Sequence, residues 1–270
     1  MHRKSLLKIL LLFSTSISVF AEEKIIIDGS TGVRPLIVQL SKTFQTENPD
    51  TQFKIGVGMK PDKRISALVN KDIDIAMASH GLDMIELSEL DMTVFKIAKM
   101  AVVFGINQSI PITSLSEEQI CSIYQGKIVN WAELGGPDIP LHVFTRPESE
   151  VDTEIIRAHI TCFKDLKISD RVKVMEKSGQ MATILASTIG AIGITTMVRV
   201  EQSQAKIKSI SINQIKPNFQ NIRAGLYNLT RDSFLVIGKN PRLNVNNFIE
   251  FIKSDKAYDV IQKNNAIPIF

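Results

Sequence analysis

Apolar positions along this chain follow two rhythms: short continuous or alternating runs, and longer stretches where they recur three and four residues apart. Residues 24–27 form a short apolar run that predicts a strand, after which Leu36, Ile37, Leu40 and Phe44 recur at helical spacing until Asn48-Pro49 stops the helix. Residues 52–57 alternate as a strand, Ile65, Leu68 and Val69 mark a second helix, and 73–78 reads as a strand covered on both faces. Such a βαβαβ start predicts an α/β fold with a parallel sheet and right-handed crossovers.

The same rhythms continue beyond it. Residues 94–106 form a long apolar strand, and Glu117–Tyr124 a helix with Ser116 as its N-cap, an apolar side of Ile120, Ile123 and Tyr124, and Gly126 as its stop. Residues 131–136 make a compact turn segment, and the strand 141–144 with the helix 154–161 repeats the unit. A helix near 179–188 precedes a strand at 191–195; a strand at 233–237 and helices at 248–254 and 257–262 follow. No proline- or serine-rich linker interrupts the chain. Two lobes without a linker imply that the backbone crosses between them more than once, near 97–103 and 223–230. The expected division is lobe 1 from 22–100 plus 228–270 and lobe 2 from 101–227.

The first residues read as a secretory leader, 1–21. Arg3 and Lys4 form a basic start, 6–13 is apolar apart from Lys8, and Val19-Phe20-Ala21 supplies a small-residue end. The run is too short for a spanning helix. No cysteine stands at the cleavage point, so no lipid anchor is expected there. The leader carries three basic and no acidic residues, so the mature chain keeps 29 Lys+Arg against 28 Asp+Glu, a balance of +1. A surface so nearly neutral argues against a nucleic-acid partner, which wants a strong positive field. Export permits a disulfide between Cys121 and Cys162, the two cysteines of the chain, although two packed thiols are equally ordinary.

Two hydroxyl-rich stretches stand where an anion would be held. Gly29-Ser30-Thr31-Gly32 follows the first strand and Arg146 to Thr153 follows the strand 141–144, and each opens into a helical pattern. Helix starts offer unpaired N–H groups and the positive end of a dipole. Glycine lets the backbone approach a ligand, and Pro35 falls early in the helix, where a missing N–H is harmless. Arg34 could add charge, and an N-cap without a ligand is the plainer reading of Ser30. Arg146 ends an apolar strand, where a guanidinium has no packing reason to be and would present paired donors to two anionic oxygens. Lys60, Lys63 and Arg64 could enlarge the positive pocket, or simply form a solvated charge cluster. Phosphate-loop lysine motifs, nucleophile elbows and Cys-x-x-Cys pairs are lacking, and the four histidines are scattered through the sequence. Neither catalysis nor a cofactor or metal is therefore expected.

Taken with Asp72-Ile73-Asp74-Ile75-Ala76-Met77-Ala78-Ser79, Leu115-Ser116-Glu117-Glu118-Gln119-Ile120, the segment from Tyr124 to Trp131 and Gly190-Ala191-Ile192-Gly193-Ile194, the chain resembles the substrate-binding proteins of phosphate-type ABC transporters. The resemblance implies a two-lobed type II periplasmic binding protein fold with a ligand cleft between the lobes. It also implies that Ser30, Thr31 and Gly32 hold the anion, that Ser79 supplies a hydroxyl, and that Arg146 with a Ser-Gly-Thr run closes the site. The sequence departs from that pattern. His80 stands where such proteins often carry a carboxylate or arginine, Val151 loses a hydroxyl that Ser149 is expected to replace, and Asp152 replaces a glycine before Thr153. Asp152 either caps the helix, the plainer role, or accepts the proton of a protonated ligand. His80 can donate or accept near neutral pH.

The expected protein is thus a periplasmic, monomeric solute-binding protein. It captures phosphate or a similar oxyanion for an ABC permease in the inner membrane, without a cofactor and without nucleic acid. The rival readings are an orphan oxyanion sensor of the same fold, an exported phosphohydrolase, and a structural or adhesive surface protein.

Overall fold

The computed structural model describes residues 24–269, so the expected leader lies outside the described residues. In chain order the elements are β1 (Ile25–Gly29), α1 (Arg34–Glu47), β2 (Phe53–Ile55), α2 (Pro61–Val69), β3 (Ile75–Ala78), α3 (Met84–Glu89), β4 (Thr93–Asn107), β5 (Ser114–Leu115), α4 (Glu117–Tyr124), β6 (His142–Thr145) and α5 (Val151–His159). They continue with β7 (Lys173–Val174), α6 (Ser178–Ser187), β8 (Ala191–Thr196), α7 (Met197–Gln202), β9 (Ile207–Ser209), β10 (Ser211–Ile212), α8 (Phe219–Arg223), β11 (Thr230–Ile237), α9 (Leu243–Ile252), α10 (Asp255–Lys263) and β12 (Ala266–Pro268).

The βαβαβ start is present: β1 pairs in parallel with both β2 and β3. Along the main sheet the order is β2-β1-β3-β11-β4-β8-β6-β7, with β12 and β9 also on β4. The 15-residue β4 is the axis of the molecule. Thr93 to Ala101 pair antiparallel with β11, and Val102 to Ile106 with β8. The cores change hands at the same point. Ile97, Ala98 and Met100 pack with β1, β3, α1, α9 and α10, whereas Ala101 to Phe104 and Ile106 pack with α4, β6, α6 and β8. Val198 of α7 joins the first of these cores, although its neighbours Met197 and Val200 belong to the second.

Local chemistry explains the boundaries. Proline in the first turn of α1 and Asn48 at its C-cap bracket that helix, and Ser116 and Gln119 close a capping box at α4. The 3-10 turn Trp131–Leu134 is capped by Asn130 and ended by left-handed Gly135; the buried indole Nε1 donates to the Gly190 carbonyl at 2.9 Å. The two cysteines form a disulfide, with Cα atoms 6.3 Å apart, joining α4 to the 3-10 turn that follows α5. The openness of that pairing in the sequence is resolved by this proximity.

Candidate functional site

The β1 strand delivers its last residue, Gly29, at φ +134°, with the space where a side chain would start 2.1 Å from the Met77 carbonyl oxygen. The Ser30 N–H donates to that same carbonyl at 2.8 Å, and Asp28 Oδ1 accepts from Gly29 and Gly58 N–H at 2.7 and 3.0 Å. The loop is therefore clamped against β3 before α1 begins. Gly29→Ala is expected to lower stability by about 3 kcal/mol, because a new methyl meets rigid backbone at a φ that L residues avoid. Urea denaturation followed by circular dichroism reads that loss, and an unchanged midpoint would mean the loop yields.

From this clamp two hydroxyls converge. Buried Ser30 and Ser79 bring their Oγ atoms to 3.2 Å, and Ser79 Oγ lies 3.2 Å from His80 Nδ1. The His80 carbonyl accepts from Arg64 Nη1 at 3.1 Å. Burial, then the Arg64 charge, pull the imidazole below its ordinary pKa; Arg231 adds to this, while Glu150 and Glu154 act the other way. His80 is thus a neutral imidazole at pH 7, half-buried beside a hydroxyl pair.

Ser30, Thr31 and His80 line a cleft of about 510 Å³ whose other lining side chains include Lys60, Arg64, Ser149, Glu150, Glu176 and Lys177. A smaller hollow of about 80 Å³ near Ile123 and Phe144 brings no buried charge into line and carries no comparable chemistry. Lys63 is exposed beside Asp62, as a solvated cluster would have it, but Arg64 is not: it is 3% exposed. The apolar face of α2 carries it inward with Ala67 and Leu68.

Arg146, at the end of β6, is buried behind the cleft wall. Its Nη2 lies 3.1 Å from Glu150 Oε2, and its Nη1 donates to the Met175 carbonyl. Thr153 is buried, and its hydroxyl donates to the Arg146 carbonyl at 3.3 Å, while Ser149 is exposed on the cleft wall. Asp152 departs from the capping expected of it. Glu150 occupies the N-cap position of α5 without a side-chain cap, and Asp152, the second residue of the helix, faces Arg231 instead, its Oδ1 3.2 Å from Nε. The guanidinium competes successfully because both groups are fully buried, and a lone carboxylate there would be costly.

Arg231 and Arg199 are guanidiniums near the candidate site that the sequence reading did not single out. Arg231 lies on β11, with Gly32 packed against it: a Cβ on that glycine would fall 2.1 Å from Arg231 Nη2. Arg199 on α7 adds a further guanidinium, its Nε 3.1 Å from Ser178 Oγ and its Nη2 donating to the Thr31 carbonyl at 3.4 Å. Burial foremost, then Arg34, Arg231 and Arg146, push its pKa down to about 10.

A sheet with helices on its faces, two large cores sharing one strand, and a cleft walled by opposed helix starts are the architecture of the type II periplasmic binding protein fold. The chain belongs to the PBP superfamily, whose domain model matches residues 15–256. It is similar to the phosphate-binding protein PstS of Borreliella burgdorferi, 26% identical over 257 residues that cover 92% of this chain and 91% of that one. Among solved structures, a chain from Clostridium perfringens described as a phosphate ABC transporter substrate-binding protein with bound phosphate superposes with a TM-score of 0.74. It is 24% identical and covered in full, against 92% of this chain. An ABC-type phosphate transport receptor from Vibrio cholerae superposes at 0.59, 26% identical, over 90% of this chain and 99% of that one.

Proposed function

We propose that this chain is an exported solute-binding protein that captures phosphate or a similar oxyanion and hands it to an ABC-type permease, without catalysing a reaction. What carries the reading is one juxtaposition. The Ser30–Ser79 hydroxyl pair lines or adjoins the same cleft whose opposite wall, Ser149–Glu150, is backed by the Arg146 guanidinium. Phosphate-binding relatives spanning nearly the whole chain support the choice of ligand.

We take the lobes as 22–100 with 228–270, and 101–227, meeting where β4 passes from Met100 to Ala101; the two larger cores support this division, with Val198 and Leu229 each packed in the core of the other lobe. Hinge closure about that point and the second crossing would bring the α1 and α5 starts onto the anion. Ser30, Thr31 and Gly32 then hold it from one side; Arg146, Ser149 and Thr153 do so from the other, with Ser79 and His80 at the base. Residues 1–21 serve as the export leader, and the mature protein acts as a periplasmic monomer.

Titration calorimetry of residues 22–270 with phosphate and with sulfate tests the reading. Saturable phosphate binding is expected, and absence of heat with phosphate overturns it. Release of phosphate from a chromogenic ester, lost in Arg146→Ala, would instead make the protein a hydrolase.

His80 adds a pH signature. Sulfate keeps its charge between pH 5.5 and 7.5, whereas the depressed imidazole becomes cationic only as pH falls. An anion bound beside it favours the charged form, so sulfate affinity is expected to rise roughly tenfold on acidification over that range. The rise should vanish in His80→Gln; its persistence there would move the titrating group elsewhere.

A further inference from the structure

Among the described residues the fully buried charged side chains are Arg64, Arg146, Arg231 and Asp152; Arg64 lines this cleft, and the other three lie behind the walls formed by Glu150 and the loop Gly29–Gly32. Three guanidiniums thus share one buried carboxylate. Glu150, whose side chain is 34% exposed, offsets Arg146 from the solvent side, and half-buried Arg199 adds another positive charge. Buried charge of one sign is costly unless it is compensated by opposite charge and hydrogen bonds. The cluster is short of both.

The shortfall is most acute at Arg231. Its side chain is 2% exposed, and although Asp152 Oδ1 is 3.2 Å from Nε, neither Nε nor Nη2 makes a hydrogen bond. Arg146 Nε is likewise without an acceptor. Nη2 of Arg231 sits against Gly32, at the α1 start, and Asp152 belongs to the first turn of α5. The guanidinium therefore stands between the two helix starts that carry Ser30–Thr31 and Thr153. Its charge is also felt at His80 and Arg199.

We propose that Arg231 is a second anion-binding guanidinium, and that with Arg146 it matches the cleft to a doubly charged tetrahedral oxyanion in preference to a singly charged one. The proposal rests on the reading of this cleft as an oxyanion site. Asp152 holds Arg231 in place from the side away from the ligand, a positioning role that leaves the remaining N–H donors for anionic oxygens. Two guanidiniums from β6 and β11 then balance two charges, whereas one would suffice for a monoanion.

The alternative is a purely structural ion pair that ties β11 to α5, and a paired substitution separates the two. Calorimetry at pH 7.5 would compare phosphate, sulfate and the singly charged tetrahedral perrhenate. The proteins are wild type, Asp152→Asn, and Asp152→Asn combined with Arg231→Gln. Relative to Asp152→Asn alone, the double variant is expected to lose roughly 30-fold or more in sulfate affinity, the scale of charge-assisted hydrogen bonds, with a smaller loss for perrhenate. Sulfate affinity within about threefold of Asp152→Asn would reduce Arg231 to a structural partner and overturn the proposal. Should the double variant fail to fold, the wild-type panel decides: perrhenate bound as tightly as sulfate overturns it, and strong preference for the dianions sustains it. Sulfate binding without phosphate binding would sink the phosphate reading and leave this proposal standing; no binding of any of the three would sink both.

Discussion

Arg146→Met is expected to weaken phosphate capture by at least about 100-fold, through two effects of the same sign. The first is loss of a permanently charged fork of donors positioned by the Met175 carbonyl at the end of β6. The second is electrostatic. Glu150, 3.1 Å from the guanidinium, would lose its ion-pair partner on the cleft wall, leaving Arg64 to offset it across the cleft, and an incoming anion would meet more of its charge. The combined variant Arg146→Met/Glu150→Gln separates the two, and should recover roughly tenfold of the loss if repulsion contributes as one partly screened charge. Calorimetry reads both variants, and a thermal melt by circular dichroism shows whether the fold is kept. Phosphate affinity of Arg146→Met within tenfold of wild type would remove Arg146 from the ligand-bearing residues.

Replacing both cysteines by alanine is the second large effect. The bridge closes a segment of 41 residues between α4 and the 3-10 turn after α5. Chain entropy for a loop of that length is worth about 4 kcal/mol, which in a protein of this size corresponds to a fall in Tm of roughly 10 °C. The bond ties Cys121, in the core with Ile120, Tyr124 and Phe163, to exposed Cys162, and neither cysteine lines the anion cleft. Phosphate affinity at 25 °C should therefore be unchanged while the melt moves. A Tm that shifts by less than a few degrees would mean that packing of Tyr124 against Phe163 and Phe104 already holds the segment.

The large strands and helices were legible because each buries a continuous apolar block or stripe: Ile25 and Ile27 on β1, all four residues of β3, and Leu36, Ile37, Leu40 and Phe44 on α1. What was not legible is short. β5, β7, β9, β10 and β12 have two or three residues each and exist only through their partners, and α3, α7 and α8 have five or six. Such pieces carry too few positions to show a period. Ser30, His80 and Arg146 could be singled out by their place after strands. Arg231 could not be found that way, since the strand expected at 233–237 begins after it, whereas β11 starts at Thr230. A signal was nevertheless present: Arg231 is in phase with inward-facing Ser233, Leu235 and Ile237, and an arginine on the buried parity of a strand needs an anion nearby. Asp152 was misread for a related reason. Capping is a local preference, and a buried guanidinium brought in from a segment far along the chain overrides it.

The order of the main sheet has a consequence for how the protein is made. β11, contributed by residues 230–237, lies between β3 and β4, so the sheet begun by β1 stays open along its middle until those residues have been made. α9 and α10, which cover α1, are translated later still. An amino-terminal lobe that awaits residues 230–263 cannot lock into a compact body early. Under the export proposed above, this interleaving keeps the lobe open until β11 and the two helices after it have emerged from the translocation channel.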